Sequence, residues 1–264
     1  SGGPYVYARD AFGDLAGYLV AWSYWCSYWI AIPVVAISFA GYLPTFFPAL
    51  RDQPLAQAGA ALALIWALTL ANVRGLREAS LVQIATTVLR IAPLLLVIAF
   101  GAVAGRQTNL PTFNPSSTPP LSVLAATALL TLWPFTGFEA GALPAGAVKN
   151  PERTIPRALI IGVATVTVIY LSATAAVMLL LPSSALAHST APLADAVRAL
   201  GPWAPPFVAA GALIATAGTL NGFIFVCGQM PMAVAADGLA PRTFAVTNSG
   251  GAPAVALIAS SLLG

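Results

Sequence analysis

The chain has 264 residues, 59% of them hydrophobic and only 7% charged, with a formal net charge of +3. Soluble domains carry about 25% charged residues because their surface must meet water. This composition, with a mean hydropathy of +0.86, excludes a water-facing globule and indicates one that faces lipid. A spanning helix needs about 20 mostly apolar residues, and six stretches qualify in chain order: Tyr18–Leu43, Leu55–Val73, Ile84–Ala104, Leu121–Ala147, Leu159–Leu181 and Pro205–Ala233. A seventh begins near Pro253 and runs to Gly264. Small residues recur in these stretches, among them Gly59, Gly162, Gly211 and Gly218, and let helices approach closely in lipid. The expectation is an all-α bundle of transmembrane helices forming one domain over residues 1–264.

The connectors differ in cation count. One alternating set holds Arg9, Arg74, Arg77, Lys149, Arg153, Arg157 and Arg242, and the other only Arg51, Arg106 and Arg198. Lys and Arg concentrate on the cytoplasmic side, so the first span is expected to run outward. The cations form no run, which excludes the clustered basic face that nucleic-acid binding needs. Cys26 and Cys227 have neither C-x-x-C spacing nor a nearby histidine, so no metal or redox pair is indicated, and no cofactor is expected. His188 reads as a solvated loop residue. There is no Gly-rich Lys loop for a nucleotide and no His, Asp, Glu or Ser cluster in catalytic spacing, so neither an enzyme nor an ATP-driven pump is expected. Ser1 is not Met, no signal-peptide pattern follows it, and Gly264 ends inside an apolar run, so both ends read as cut.

The fourth span is unlike the rest. Trp133-Pro134-Phe135-Thr136-Gly137-Phe138-Glu139 interrupts it with a residue that lacks a backbone donor and one that relaxes helical geometry. Unpaired backbone at membrane depth persists only where protein or a water-filled cavity satisfies it, and such breaks mark substrate sites in transporters. A simple proline kink is the alternative. Glu139 argues for function, because acids within membranes are costly and face polar pathways. Arg90 lies several residues inside the third span, where it either snorkels to the headgroups or meets an internal partner.

These features resemble the amino acid–polyamine–organocation permeases, and within them the bacterial arginine/agmatine and other basic amino-acid antiporters. The residues that carry the resemblance are Gly2–Gly13, Leu132–Glu139, Val148–Arg157 and Ala236–Pro241 with Asn248 and Pro253, in family order over nearly the whole chain. The resemblance implies an inverted-repeat transporter fold, of which this chain would hold helices three to eight and the start of nine. It implies that Trp133 stacks on substrate and gates, that backbone near Trp133, Phe135, Thr136 and Gly137 binds the substrate ammonium, and that Tyr24 gates with Glu139. Ser27, Tyr28 and Phe223 fall at further substrate positions. The sequence departs from the antiporter at Ile32, Tyr28 and Phe223, where the antiporter has asparagine, a small residue and tryptophan. The loss of a polar partner for a guanidinium widens the implied substrate to a cationic or neutral amino acid or an amine.

The implied activity is secondary transport by exchange across the cytoplasmic membrane. A proton-coupled neutral amino-acid permease and a non-transporting scaffold are the alternatives. The implied partners are the substrate and the lipid bilayer, and the resemblance allows a homodimer of the full-length protein. In several relatives the position of Arg90 resembles a lysine whose ammonium stands where sodium-coupled cousins hold their ion. Arg90 would then be a fixed structural cation.

Overall fold

The computed structural model describes residues 3–75, 86, 87, 89–111, 119–132, 137, 148, 150–189 and 191–264. Every regular element among them is helical. In chain order these are α1 (Pro4–Phe12), α2 (Asp14–Tyr42), α3 (Pro54–Arg74), α4 (Ile91–Ala104), α5 (Pro120–Leu132), α6 (Pro151–Leu180), α7 (Ser183–His188), α8 (Pro192–Ala196), α9 (Ala204–Ala236) and α10 (Ala254–Leu263), with short 3-10 turns between them. Four are long and apolar enough to cross a membrane: α2 with its 3-10 extension, α3, α6 and α9. Three shorter apolar helices, α4, α5 and α10, accompany them. Thirty-three residues make α9 roughly 50 Å long at 1.5 Å per residue, against a hydrocarbon core of about 30 Å. It therefore tilts or projects.

The four long helices fall on the first, second, fifth and sixth predicted stretches, α4 covers the third from Ile91, α5 covers the fourth as far as it is described, and two expectations need correction. The fifth span begins at Pro151 rather than Leu159, so the expected loop Val148–Arg157 is mostly helix. Pro151 at the first helical position loses no bond, and Glu152 complements the positive helix end. Pro156 removes only one bond from an early turn, so the helix passes through it. His188, read as a loop residue, closes the short helix α7. The described part of the fourth span ends at Leu132, directly before the predicted break.

Two apolar cores form, and α9 joins them. The larger packs Tyr5 of α1, Ile32 of α2, Ile65 of α3, Leu220 and Ile224 of α9, and Leu257 of α10. The smaller packs Val97 of α4, Val177 of α6 and Val208 of α9. Glycines make the approach close enough. A Cβ at Gly211 would overlap Pro93 and one at Gly218 would overlap Thr86, so α9 lies antiparallel and tight against α4 and the turn before it. A Cβ at Gly101 would overlap Ala176, which seats α4 on α6 in the same way.

Polar bonds cross the larger core. Asn72 of α3 donates to Asn221 Oδ1 of α9 at 2.9 Å, Thr69 and Ser261 hydroxyls meet at 2.8 Å, and Trp25 Nε1 donates to Ser260 at 2.8 Å. Such bonds are retained in lipid because a lone polar group has no water to turn to. At one end of the bundle the Asn248 amide donates to the Val73 carbonyl, capping α3. At the same end Arg9 bonds Asp237 at 2.8 Å. Arg9 of α1, the end of α3 at Arg74 and the turn of Arg242 thus share one end, as expected for these three of the seven cations.

Candidate functional site

Of the predicted site residues within the described chain, Tyr24, Tyr28, Phe223 and Gly137 gather around α2. Tyr24 and Tyr28 stand one turn apart on it, so their rings share a face. Their hydroxyls are 3.0 Å apart, either able to donate, and their ring centroids are 4.7 Å apart. Tyr28 also meets Phe223 of α9 edge-on, at 5.0 Å between centroids and 77° between planes. That geometry matches the preferred contact of a ring edge with a ring face.

Gly137 lies beside this cluster. Its φ of +101° lies outside the helical region and suits only glycine. A Cβ built there would sit 3.6 Å from the Tyr28 hydroxyl. At this one residue the backbone is non-helical and lies beside a buried phenol. Aromatic faces of this kind attract cations. Trp133, Phe135, Thr136 and Glu139 lie outside the described residues.

Ser27 and Arg90 stand apart from the cluster. Ser27 is exposed on another side of α2, and its hydroxyl donates to the Ser23 carbonyl at 2.8 Å. Ile32, the departure from the antiporter pattern, is fully buried in the larger core. Arg90 is half-buried and precedes α4, its backbone N–H donating to Thr86 at 3.2 Å. Thr86 and Pro93 both face α9, and residues four and three positions on share that face. Arg90 is thus on the side of its helix turned to α9. None of the ion pairs among the described residues involves it.

A second recess, lined by Tyr18, Trp22, Trp25, Met230, Pro241 and Phe244 among others, has no charged group in its wall. It offers nothing to balance a charged amine. No group of three or more His, Cys, Asp or Glu that could hold a metal occurs among the described residues. Sequence reasoning missed the Asn72–Asn221 and Thr69–Ser261 bonds. Their signal was an asparagine inside an otherwise apolar span, a residue that in lipid must find a partner.

The family model described as amino acid permease matches residues 1–264. The chain is 32% identical over 266 residues to the cadaverine/lysine antiporter of Escherichia coli (strain K12), an alignment covering 99% of this chain and 59% of that protein. It is 29% identical over 276 residues to the arginine/agmatine antiporter of Chlamydia trachomatis serovar L2, covering 98% of this chain and 56% of that protein. The chain thus spans rather more than half the length of these relatives. It belongs to the amino acid permease family, within the amino acid–polyamine–organocation superfamily, and its apolar helices are those of a multi-pass membrane protein.

Proposed function

From its membership of the amino acid permease family, we propose that the protein carrying this chain is a secondary transporter that exchanges amino acids or amines across the cytoplasmic membrane. The observation that carries the reading is Gly137 backbone beside the Tyr28 hydroxyl, within a cluster completed by Tyr24 and Phe223. Two relatives are named as antiporters of a basic amino acid against an amine, which supports exchange and a cationic substrate here. In this reading the chain is part of an inverted-repeat fold, corresponding to family helices three to eight and the start of nine. Trp133 covers the substrate, backbone from Trp133 through Gly137 with Phe135 and Thr136 accepts from its ammonium, and Glu139 gates with Tyr24. Tyr28 and Phe223 form the opposite wall, with Ser27 on an adjoining side of α2.

Counterflow into liposomes tests this. Vesicles holding the full-length protein and preloaded with cadaverine or agmatine should accumulate labelled lysine or arginine, and empty vesicles should not. Labelled neutral amino acid driven into empty vesicles by a proton gradient, with no counterflow, would favour a proton-coupled neutral permease instead. No saturable movement of either kind would leave the scaffold reading.

A further inference from the structure

Tyr18, Trp22 and Trp25 recur four and three positions apart on α2, so they share one face, roughly a quarter-turn from that of Tyr24 and Tyr28. Their rings form a ladder. Tyr18 stacks on Trp22 at 6.3 Å between centroids, and Trp22 meets Trp25 edge-on at 5.4 Å. Phe244, in the 3-10 turn Arg242–Ala245, closes the far side at 6.4 Å from Trp25. Met230 and Pro231 of α9 add to the wall, as do Ala21 and Ala240. Large rings around two alanines leave a gap of about 90 Å³.

The gap selects an apolar occupant. It is far below the roughly 300–1,000 Å³ of pockets that hold whole small molecules, and its wall carries no charge. The polar edge of Trp25 is already engaged, its Nε1 donating to Ser260 of α10 at 2.8 Å. An apolar void stays dry, and an empty one forfeits dispersion contacts along its lining. Trp22 is 50% exposed, so the gap opens to the surface of the bundle. Its depth suits lipid. At 1.5 Å per residue, Tyr18 stands roughly 6 Å and Trp25 roughly 16 Å along α2 from Asp14. Tyrosine and tryptophan rings favour the headgroup level, and acyl chains begin just beneath it.

A cation stands at the rim. Arg242 follows Pro241 of the wall and begins the turn that carries Phe244. It is exposed and takes no part in the ion pairs among the described residues. Two carboxylates at this end are already bonded elsewhere. Asp237, at the end of α9, accepts from the Tyr5 hydroxyl and from Arg9, each at 2.8 Å. Asp14 accepts from Arg9 Nε at 2.6 Å. Neither compensates Arg242.

We propose that this recess seats one acyl chain of an anionic phospholipid, with the lipid phosphate against Arg242. One molecule then answers both needs, since its chain fills the gap and its headgroup pairs with the guanidinium, which matches phosphate geometry. The cytoplasmic leaflet supplies it, because Lys and Arg concentrate in the connectors of this end. The lipid site stands whatever the protein transports.

Photo-cross-linking of the full-length protein in phosphatidylcholine vesicles tests this. A tracer lipid carries a diazirine in its acyl chain and either a phosphatidylglycerol or a phosphatidylethanolamine headgroup, and labelled peptides are mapped by mass spectrometry. Trp22, Met230 or Phe244 should take the label, about fivefold more from phosphatidylglycerol, the preference that one arginine confers at a membrane surface. Arg242→Gln should bring the two tracers level. Ala240→Phe, which plugs the gap, should abolish labelling there by both. Arg242 is exposed, so its variant keeps the fold and decides the matter even where Ala240→Phe does not fold. No label in the recess would mean that another part of the protein fills it, and overturns the proposal. Equal labelling by the two tracers in the unaltered protein, a preference that survives Arg242→Gln, or labelling that survives Ala240→Phe does the same. Excess soluble glycerol phosphate should not compete, and competition would reveal a site for free anions in place of a lipid.

Discussion

Helices α5 and α9 are about equally apolar, yet they meet the rest of the molecule in opposite ways. Helix α9 buries residues along its whole length, from Ala204 to Ala235, and touches both cores. Helix α5 has no buried residue among those described. Hydrophobicity cannot tell them apart, because in lipid an apolar face has no water to flee. What distinguishes α9 is its small residues at contact points, its asparagine facing another asparagine, and the carboxylate at its end. Packing in this bundle is decided by glycines and polar anchors.

The sharpest way to break that comparison is to fill a glycine. Gly211→Val would drive a branched side chain into Pro93. Overpacking of this kind costs about 1–3 kcal/mol, and should sharply lower the melting temperature and the recovery of folded protein in detergent. Ala126→Val, on exposed α5, should leave yield and melting unchanged. If both variants fold equally well, close approach is not what holds α9.

A second comparison sets the substrate wall against the rim. Trp133→Ala removes the ring proposed to cover a cationic substrate, a contact worth about 2 kcal/mol when desolvated, or roughly thirtyfold in affinity. Trp203→Ala changes an exposed ring at the start of α9 that meets Phe207 only at a tilt, 6.4 Å between centroids, and should leave binding as it was. Substrate-dependent quenching of intrinsic fluorescence reads both. Equal small changes would reject Trp133 as part of the site.

The fold was largely legible because membrane spans announce themselves by length and polarity alone. Helix ends were less so. The start of α6 was hidden by Pro151 and Pro156, which read as breakers but sit where an early helical turn tolerates them. The aromatic wall was legible at Tyr24, Tyr28 and Phe223 only through family likeness. Nothing in the spacing of 28 and 223 shows that two distant helices bring them to 5.0 Å. The Tyr5–Asp237 bond was illegible for the same reason, since a tyrosine near a membrane end looks like any interfacial ring.

The buried amides sharpen the role of polar anchors at a smaller scale. Asn72→Ala would leave Asn221 without its donor. Hydrogen bonds between helices in lipid average about 0.6 kcal/mol and reach about 1.7, so a modest fall in melting temperature is expected, with the α3 to α9 contact otherwise kept. No change at all would mean that the apolar contacts around Ile65 and Ile224 suffice.

The smallest expected effect is that removing sodium changes nothing, and its cause is Arg90. Its helix meets α9 through Thr86 and Pro93, and Arg90 lies on that face. In the proposed fold the same place adjoins the first helix, where sodium-coupled cousins keep their ion. A guanidinium there supplies a fixed positive charge, unlike a lysine, which can release its proton when buried and so could carry protons. Arg90 therefore predicts exchange that is indifferent to sodium and uses this residue as a fixed cation. Replacing sodium by choline in the counterflow experiment should change nothing. Arg90→Lys should retain exchange, because charge is kept, whereas Arg90→Ala should lose it. Full activity in Arg90→Ala would mean that the side chain merely snorkels to the headgroups, and an absolute need for sodium would mean that the site is still held by an ion.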